Sequence, residues 1–185
     1  MQRAILKLGD KSSNGGVVLE GVDSCTHEGT PMTFIGAKVW CNGCKSEGVI
    51  GWKGPHQEST MLGKQEALDG DICICRCFPS PVFRASQDNA WHMFSADELA
   101  VMGYDLRGES IAMQPAGDHD ERVRVLDANG RPLWGVPYHI RGANGAVYRG
   151  LTDSLGFCPR VYTNSKTALD IAVGIRALER WRHAL

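Results

Sequence analysis

Two stretches of this chain repeat one another, and each ends on a cysteine. Gly29-Thr30-Pro31-Met32-Thr33-Phe34-Ile35-Gly36-Ala37-Lys38-Val39-Trp40-Cys41 and Gly63-Lys64-Gln65-Glu66-Ala67-Leu68-Asp69-Gly70-Asp71-Ile72-Cys73-Ile74-Cys75 match at Gly29 with Gly63, Gly36 with Gly70 and Cys41 with Cys75. In each copy a glycine opens a short segment, a second glycine turns it, and a strand-like run delivers a thiol. A third glycine turn, Gly9-Asp10, precedes Gly15-Gly16-Val17-Val18-Leu19, which echoes Gly48-Val49-Ile50. The front half is therefore expected to wind about a pseudo-symmetry axis. Residues 1–84 carry no helical stripe, and glycines separate their short apolar runs, a pattern of short strands and turns.

The rest of the composition narrows the function classes. At 185 residues, 43% hydrophobic and 22% charged, the chain fits a soluble globular protein of one or two domains. Twenty Lys and Arg against 21 Asp and Glu leave it near neutrality, with no basic run to collect phosphates or anionic lipid. Neither nucleic acid nor a membrane surface is an expected partner. The start, Met1-Gln2-Arg3-Ala4-Ile5-Leu6-Lys7-Leu8-Gly9-Asp10, lacks a signal peptide's apolar stretch, and no apolar run approaches membrane-spanning length, so a cytoplasmic location is expected. Thiols are kept reduced there, so clustered members of the seven cysteines are expected as metal ligands or redox groups, not as a disulfide frame.

Phe78-Pro79-Ser80-Pro81 ends the cysteine-bearing half, because two prolines two apart block both a helix and a central strand. The expected organisation is a first domain over residues 1–85, a linker over 86–117 and an extension over 118–185. Within the linker, Ser95 and Glu98 form a capping box ahead of Leu99, Val101 and Met102, which predicts one brief helix. From Glu121 the pattern becomes alternating strands separated by Asp127-Ala128-Asn129-Gly130, Gly142-Ala143-Asn144-Gly145 and Asp153-Ser154-Leu155-Gly156. Read as tight hairpin turns with Asn-Gly at positive φ, these predict an antiparallel sheet with one buried face. Leu169, Ile171 and Val173 suggest a further strand, and Ile175, Leu178 and Trp181 a terminal amphipathic helix.

Cys41 and Cys44 on one turn, with Cys75 and Cys77 on another, offer four thiolates from two equivalent strand ends, a set that one structural zinc ion satisfies tetrahedrally. A small glycine-rich domain has a limited core, and a metal joining its segments would supply much of its folding free energy. His56, His27 and Cys73 are possible substitutes in the ligand set. Trp40-Cys41-Asn42-Gly43-Cys44-Lys45 also resembles the active-site string of thioredoxin-like oxidoreductases, which leaves a cytosolic thiol-disulfide oxidoreductase using Cys41 and Cys44 as the alternative function. That chemistry wants the first cysteine at a helix N-terminus, and Gly48, Gly51 and Gly54 follow here. A zinc-ribbon nucleic-acid binder would want more basic residues than Lys38, Lys45 and Arg76.

Leu8-Gly9-Asp10-Lys11-Ser12-Ser13-Asn14-Gly15-Gly16-Val17-Val18, the Gly36 turn leading to Cys41 and Cys44, and the Gly70-Asp71 turn leading to Cys75 and Cys77 together resemble the PAAR-repeat family, the tip proteins of the type VI secretion spike. The resemblance covers about residues 1–85. It implies a mainly β, conical domain of short strands with pseudo-three-fold repeats, a metal near the apex, and a base seated on the trimeric valine-glycine-repeat spike protein. Family members often carry a histidine ligand where this chain has Asn14, so the first turn is expected to supply no ligand; the proline-alanine-alanine-arginine string is replaced by Pro31-Met32-Thr33-Phe34. Residues 118–175 resemble the transthyretin-like β-sandwich extensions found behind such tips, through Val125-Leu126-Asp127, Gly130-Arg131-Pro132-Leu133, Tyr138-His139-Ile140 and Gly150-Leu151-Thr152-Asp153-Ser154-Leu155-Gly156.

The resemblance implies a metal-stabilised protein that caps and sharpens the spike, one tip per trimer. It would be a monomer when free, and would carry an effector or adaptor through its extension. It would reside in the cytoplasm before firing and leave the cell with the spike. No enzyme is expected. His92, His119, His139 and Asp153 form no recognisable catalytic spacing, which argues against a tip-fused toxin, and His139 reads as an exposed strand residue.

Overall fold

The computed structural model describes residues 1–111, 119–143, 145–163 and 165–183. The chain divides into two compact units, Met1–Ala112 with Arg182–Leu185, and Met113–Trp181. In the first, each turn glycine of the sequence repeat starts a hairpin. After β1 (Gln2–Ala4), Gly9 leads into β2 (Lys11–Ser12) and β3 (Val17–Val18); a connecting hairpin, β4 (Val22–His27) and β5 (Thr30–Met32), brings the chain to Gly36. There β6 (Lys38–Cys41) and β7 (Ser46–Gly51) form the second hairpin; β8 (Thr60–Met61) and β9 (Lys64–Gln65) connect to Gly70, followed by β10 (Ile72–Ile74) and β11 (Phe83–Arg84).

The three hairpins make one antiparallel sheet of order β10-β7-β6-β3-β2-β11. Its two edges meet through the bridge Ile72↔Val82, flanked by Cys73 N–H donating to Pro81 O (2.7 Å) and Phe83 N–H to Asp71 O (2.8 Å). Closure satisfies the edge groups that strands of two or three residues would otherwise leave open.

The pseudo-symmetry of the sequence is a three-fold pattern of backbone bonds. Gly9, Gly36 and Gly70 sit at φ +87°, +85° and +93°, and their N–H groups donate to Val18, Ile50 and Phe83 carbonyls at 3.0, 2.8 and 3.0 Å. Those three acceptor residues are fully buried, each worth about 1.5–3 kcal/mol of apolar burial. A ring of three further bonds joins the repeats: Leu6 N–H to Ala67 O (2.9 Å), Ala67 N–H to Thr33 O (3.1 Å), and Thr33 N–H to Leu6 O (2.9 Å). The connecting hairpins also match, with two-residue turns at Glu28-Gly29 (φ +52°, +75°) and Leu62-Gly63 (φ +50°, +76°), the geometry that two-residue hairpins favour.

The stretch read from sequence as a spacer is structured over the residues described. β12 (Trp91–Met93) pairs with β1, and α1 (Ala96–Val101) opens on the reciprocal Ser95–Glu98 capping box that the sequence predicts. Leu99 is buried against Leu68 and Phe94. The unpaired edge of β1 and one apolar side chain on a capped turn are enough to dock this segment. The remainder of the spacer, 112–117, lies outside the described residues.

The second unit has β13 (His119–Arg124), β14 (Pro137–Arg141), β15 (Val147–Leu151), β16 (Phe157–Thr163), β17 (Asp170–Val173) and most of α2 (Ile175–His183). β13 pairs with β16, and β14 lies between β15 and β17. Tyr138 and Ile140 from one sheet share a core with Cys158 and Val161 from the other. The turns differ from the expected tight Asn-Gly type. At Asp127 and Asp153 the carboxylate Oδ1 accepts the N–H groups two and four residues on, at 2.8 to 2.9 Å, and only the glycine, Gly130 or Gly156, has positive φ. These are aspartate-capped turns, in which the side chain mimics a backbone acceptor. Asn144 lies outside the described residues.

One further expectation is corrected. His139 is fully buried, because β14 is the central strand and Pro137, Tyr138, His139 and Ile140 are all covered. The strand expected around Ile171 and Val173 is present as β17, which buries Ala172 and leaves Ile171 and Val173 exposed. In α2 the buried residues are Ala177 and Trp181, while Ile175 is exposed. Among the described residues no helix is long and apolar enough to cross a membrane.

Candidate metal centre

The second and third hairpins bring four thiols to one point. Cys41 ends β6 and Cys44 lies in the turn to β7; Cys75 and Cys77 follow directly on β10. Their Sγ atoms all lie within 4.8 Å of one another, with Cys41 at 3.4 Å from Cys75 and 3.6 Å from Cys77. Sulfurs set tetrahedrally at about 2.3 Å from a zinc ion stand roughly 3.8 Å apart. All seven cysteines are free thiols. The spacing is too wide for disulfides and fits a four-sulfur cation site. The backbone leaves little slack: a Cβ at Gly43 would come within 2.6 Å of Asn14 Nδ2 and 2.8 Å of Cys77 Sγ.

Counting from the turn glycines identifies a fifth participant. Cys41 and Cys75 each lie five residues past their glycine, and the same step from Gly9 reaches Asn14. Its Nδ2 donates to Cys41 Sγ at 3.2 Å. The first turn is expected to supply no ligand because Asn14 stands where a histidine is common, and the equal offset from the turn glycine is the signal that places Asn14 beside the thiols.

Hydrogen bonds set how the thiols share protons. Burial pushes Cys41 upward, but the backbone N–H of Cys44, the Asn14 amide and the Cys75 and Cys44 thiols outweigh it and bring Cys41 down to about 6. Cys44 is also lowered, chiefly by the Ser46 hydroxyl 3.2 Å away. Cys75 is pushed up to about 12, first by burial, and Cys77 to about 12, first by its bond to Cys41. Cys41 and Cys44 are thus lowered and Cys75 and Cys77 raised, and because thiols must lose their protons to ligate, any cation held among them would bind more tightly as pH rises.

The suggested substitutes lie elsewhere. Cys73 is buried beneath the cluster, raised to about 12 by burial, and is not one of the four converging sulfurs. His27 closes β4 beside Glu28, its Nδ1 3.8 Å from that carboxylate. His56 is locked in a buried network: Asp71 Oδ1 accepts from Arg3 Nη2 at 3.0 Å, and His56 Nε2 lies 3.0 Å from Asp71 Oδ2. His92 pairs with Glu66 at 2.5 Å, also buried. The Cys41-Cys44 string stands on a β-hairpin turn, so it lacks the helix N-terminus that activates the thioredoxin-like nucleophile.

No curated protein and no solved structure matches the chain. Residues 8–78, the stretch holding the three glycine turns, Asn14 and the four converging cysteines, match the PAAR motif family.

Proposed function

We propose that the first unit is the metal-stapled tip of a type VI secretion spike. One structural zinc ion is held by Cys41, Cys44, Cys75 and Cys77, and one copy seats on each valine-glycine-repeat trimer. The observation that carries this reading is the ring of backbone bonds through Leu6, Thr33 and Ala67, which gives a single chain a three-fold pattern suited to a three-fold partner; the PAAR match over residues 8–78 supports it. A closed sheet stapled by a cation resists unfolding, as a part driven through an envelope must. The protein acts mechanically and not as an enzyme, resides in the cytoplasm before firing and leaves with the spike. The second unit, read as a transthyretin-like sandwich, holds an effector or adaptor.

Native mass spectrometry of the full chain with a purified valine-glycine-repeat trimer tests the reading. One copy per three spike chains, carrying one zinc, is expected. Three copies per trimer, or no binding by the zinc-loaded chain, overturns the tip assignment.

A further inference from the structure

Asn14 occupies the position of a ligand without being one. Its orientation is fixed on the other side of the amide, where Oδ1 accepts from Ser12 Oγ at 2.7 Å and from Gly16 N–H at 3.2 Å. That leaves Nδ2 directed at Cys41 Sγ, 3.2 Å away, with Cys77 Sγ at 3.8 Å. A carboxamide nitrogen presents only N–H donors. Further contacts to the sulfurs come from the cysteine-bearing hairpins, with Cys77 N–H donating to Cys75 Sγ at 3.4 Å and Ser46 Oγ at 3.2 Å from Cys44 Sγ. Asn14 is how the first repeat, which has no thiol of its own, reaches the centre.

Four thiolates around a divalent cation carry a net charge near two negatives, in a setting where Cys41 is fully buried. Donors to sulfur offset that charge and hold each sulfur in place. We propose that Asn14 is a positioning residue of the metal centre, whose Nδ2 hydrogen bond to Cys41 retains the cation. This rests on the four-thiolate reading above. Asn14 also caps its own turn through Oδ1, so the competing account is that it serves the turn alone.

Asn14→Asp separates the two roles, because it keeps an oxygen for Ser12 and Gly16 and replaces the donor that faces the sulfurs with an acceptor. The full chain is loaded with Co²⁺ to read the sulfur-to-metal charge-transfer band, and with Zn²⁺ to follow its transfer to a chromophoric chelator. For Asn14→Asp the band moves to lower energy and zinc affinity falls roughly 10–100-fold, with Asn14→Ala shifting both the same way. An unchanged band and unchanged zinc transfer in a metal-loaded Asn14→Asp chain would leave only the turn role and overturn the proposal. A parent chain that gives no sulfur-to-cobalt band overturns the four-thiolate reading itself, and the role of Asn14 with it.

Discussion

Both units are assembled from short strands turned by glycine, yet they dispose of their strand edges differently. The first closes six strands into one sheet, ties its repeats by the Leu6–Thr33–Ala67 ring and gathers four thiols at the ends of two hairpins. The second leaves a two-stranded and a three-stranded sheet that share the core of Tyr138, Ile140, Cys158 and Val161. Strands of two residues, such as β2, β3 and β11, bury too little side chain to hold themselves, so the first unit depends on closure and, under the proposed function, on a cation joining its hairpins. The longer strands of the second, five to seven residues in β14, β15 and β16, depend on ordinary apolar packing.

The sharpest way to break that contrast is to take the staple away. Cys75→Ser is expected to abolish retention of one zinc ion and to destabilise the first unit by on the order of 5 kcal/mol or more, given the size of structural zinc binding energies. The second unit should unfold as before. Calorimetry with and without a chelator reads both outcomes; a shift of both transitions together would show that the cation does not serve the first unit alone.

Next in size is the buried charge network of the first unit. Asp71 and His56 are both inaccessible. Burial works to raise the Asp71 carboxyl, but the charges of His56 and Arg3 and the bonds from His56 and Leu68 N–H hold it below the usual carboxylate range. His56 is lowered chiefly by burial, against the pull of Asp71. At neutral pH the ring is uncharged, with Nε2 3.0 Å from Asp71 Oδ2 and Nδ1 3.2 Å from both Arg3 Nη1 and Gly54 O, and on protonation in acid it faces the carboxylate as a cation. Asp71→Asn leaves Arg3 buried without its counter-charge and is expected to cost about 3–5 kcal/mol. Acid probes the same groups. With folded-state values below the unfolded ones, His56, Glu66 and Asp71 contribute stability that is present at neutral pH and lost as pH falls. The loss begins near the ordinary histidine value of about 6.5 and deepens below about 4.5 as the carboxylates take up protons. A first-unit melting temperature that rises between pH 7 and 4 would contradict this ordering of charges.

For the second unit, the corresponding test is Trp181→Phe. Trp181 is fully buried and its Nε1–H donates to Tyr138 O at 3.1 Å. The substitution removes that hydrogen bond and part of the buried ring, an expected cost of about 1–3 kcal/mol. Zinc retention should not change. A loss of zinc on this substitution would mean that the two units do not depend on separate sources of stability.

The residues themselves explain what could be read in advance. Glycine at a positive-φ turn and cysteine at a fixed distance from it are constraints written locally, so the Gly36/Gly70 and Cys41/Cys75 equivalences were legible, as was the Ser95–Glu98 cap. Closure was not, because two-residue strands show no alternation, and the third repeat position holds Asn14, whose role depends on a sulfur 27 residues away. His139 was misjudged because alternation cannot tell a strand covered on one face from a central strand covered on both. Aspartate-capped turns were mistaken for Asn-Gly turns because both place a glycine at the same point, and only the backbone distinguishes them.

The smallest effect sharpens the comparison inside the first unit, between its two connecting hairpins. Glu28 and Leu62 fill the same place, the left-handed residue before a glycine, at φ +52° and +50°. Leu62 is 77% exposed, so its side chain contributes little burial to offset the conformation, which for a residue with a Cβ costs roughly 1–2 kcal/mol. Asparagine tolerates this region better through its local hydrogen bonding, and Asn-Gly is a favoured pair for such turns. Leu62→Asn is therefore expected to stabilise the first unit by about 0.5–1 kcal/mol, visible as a rise of a few degrees in its transition and no change in the second unit's. A fall instead would mean that Leu62 is kept for a contact its exposure conceals, and would make the hairpin at β8–β9 a surface to test against the spike trimer before any other.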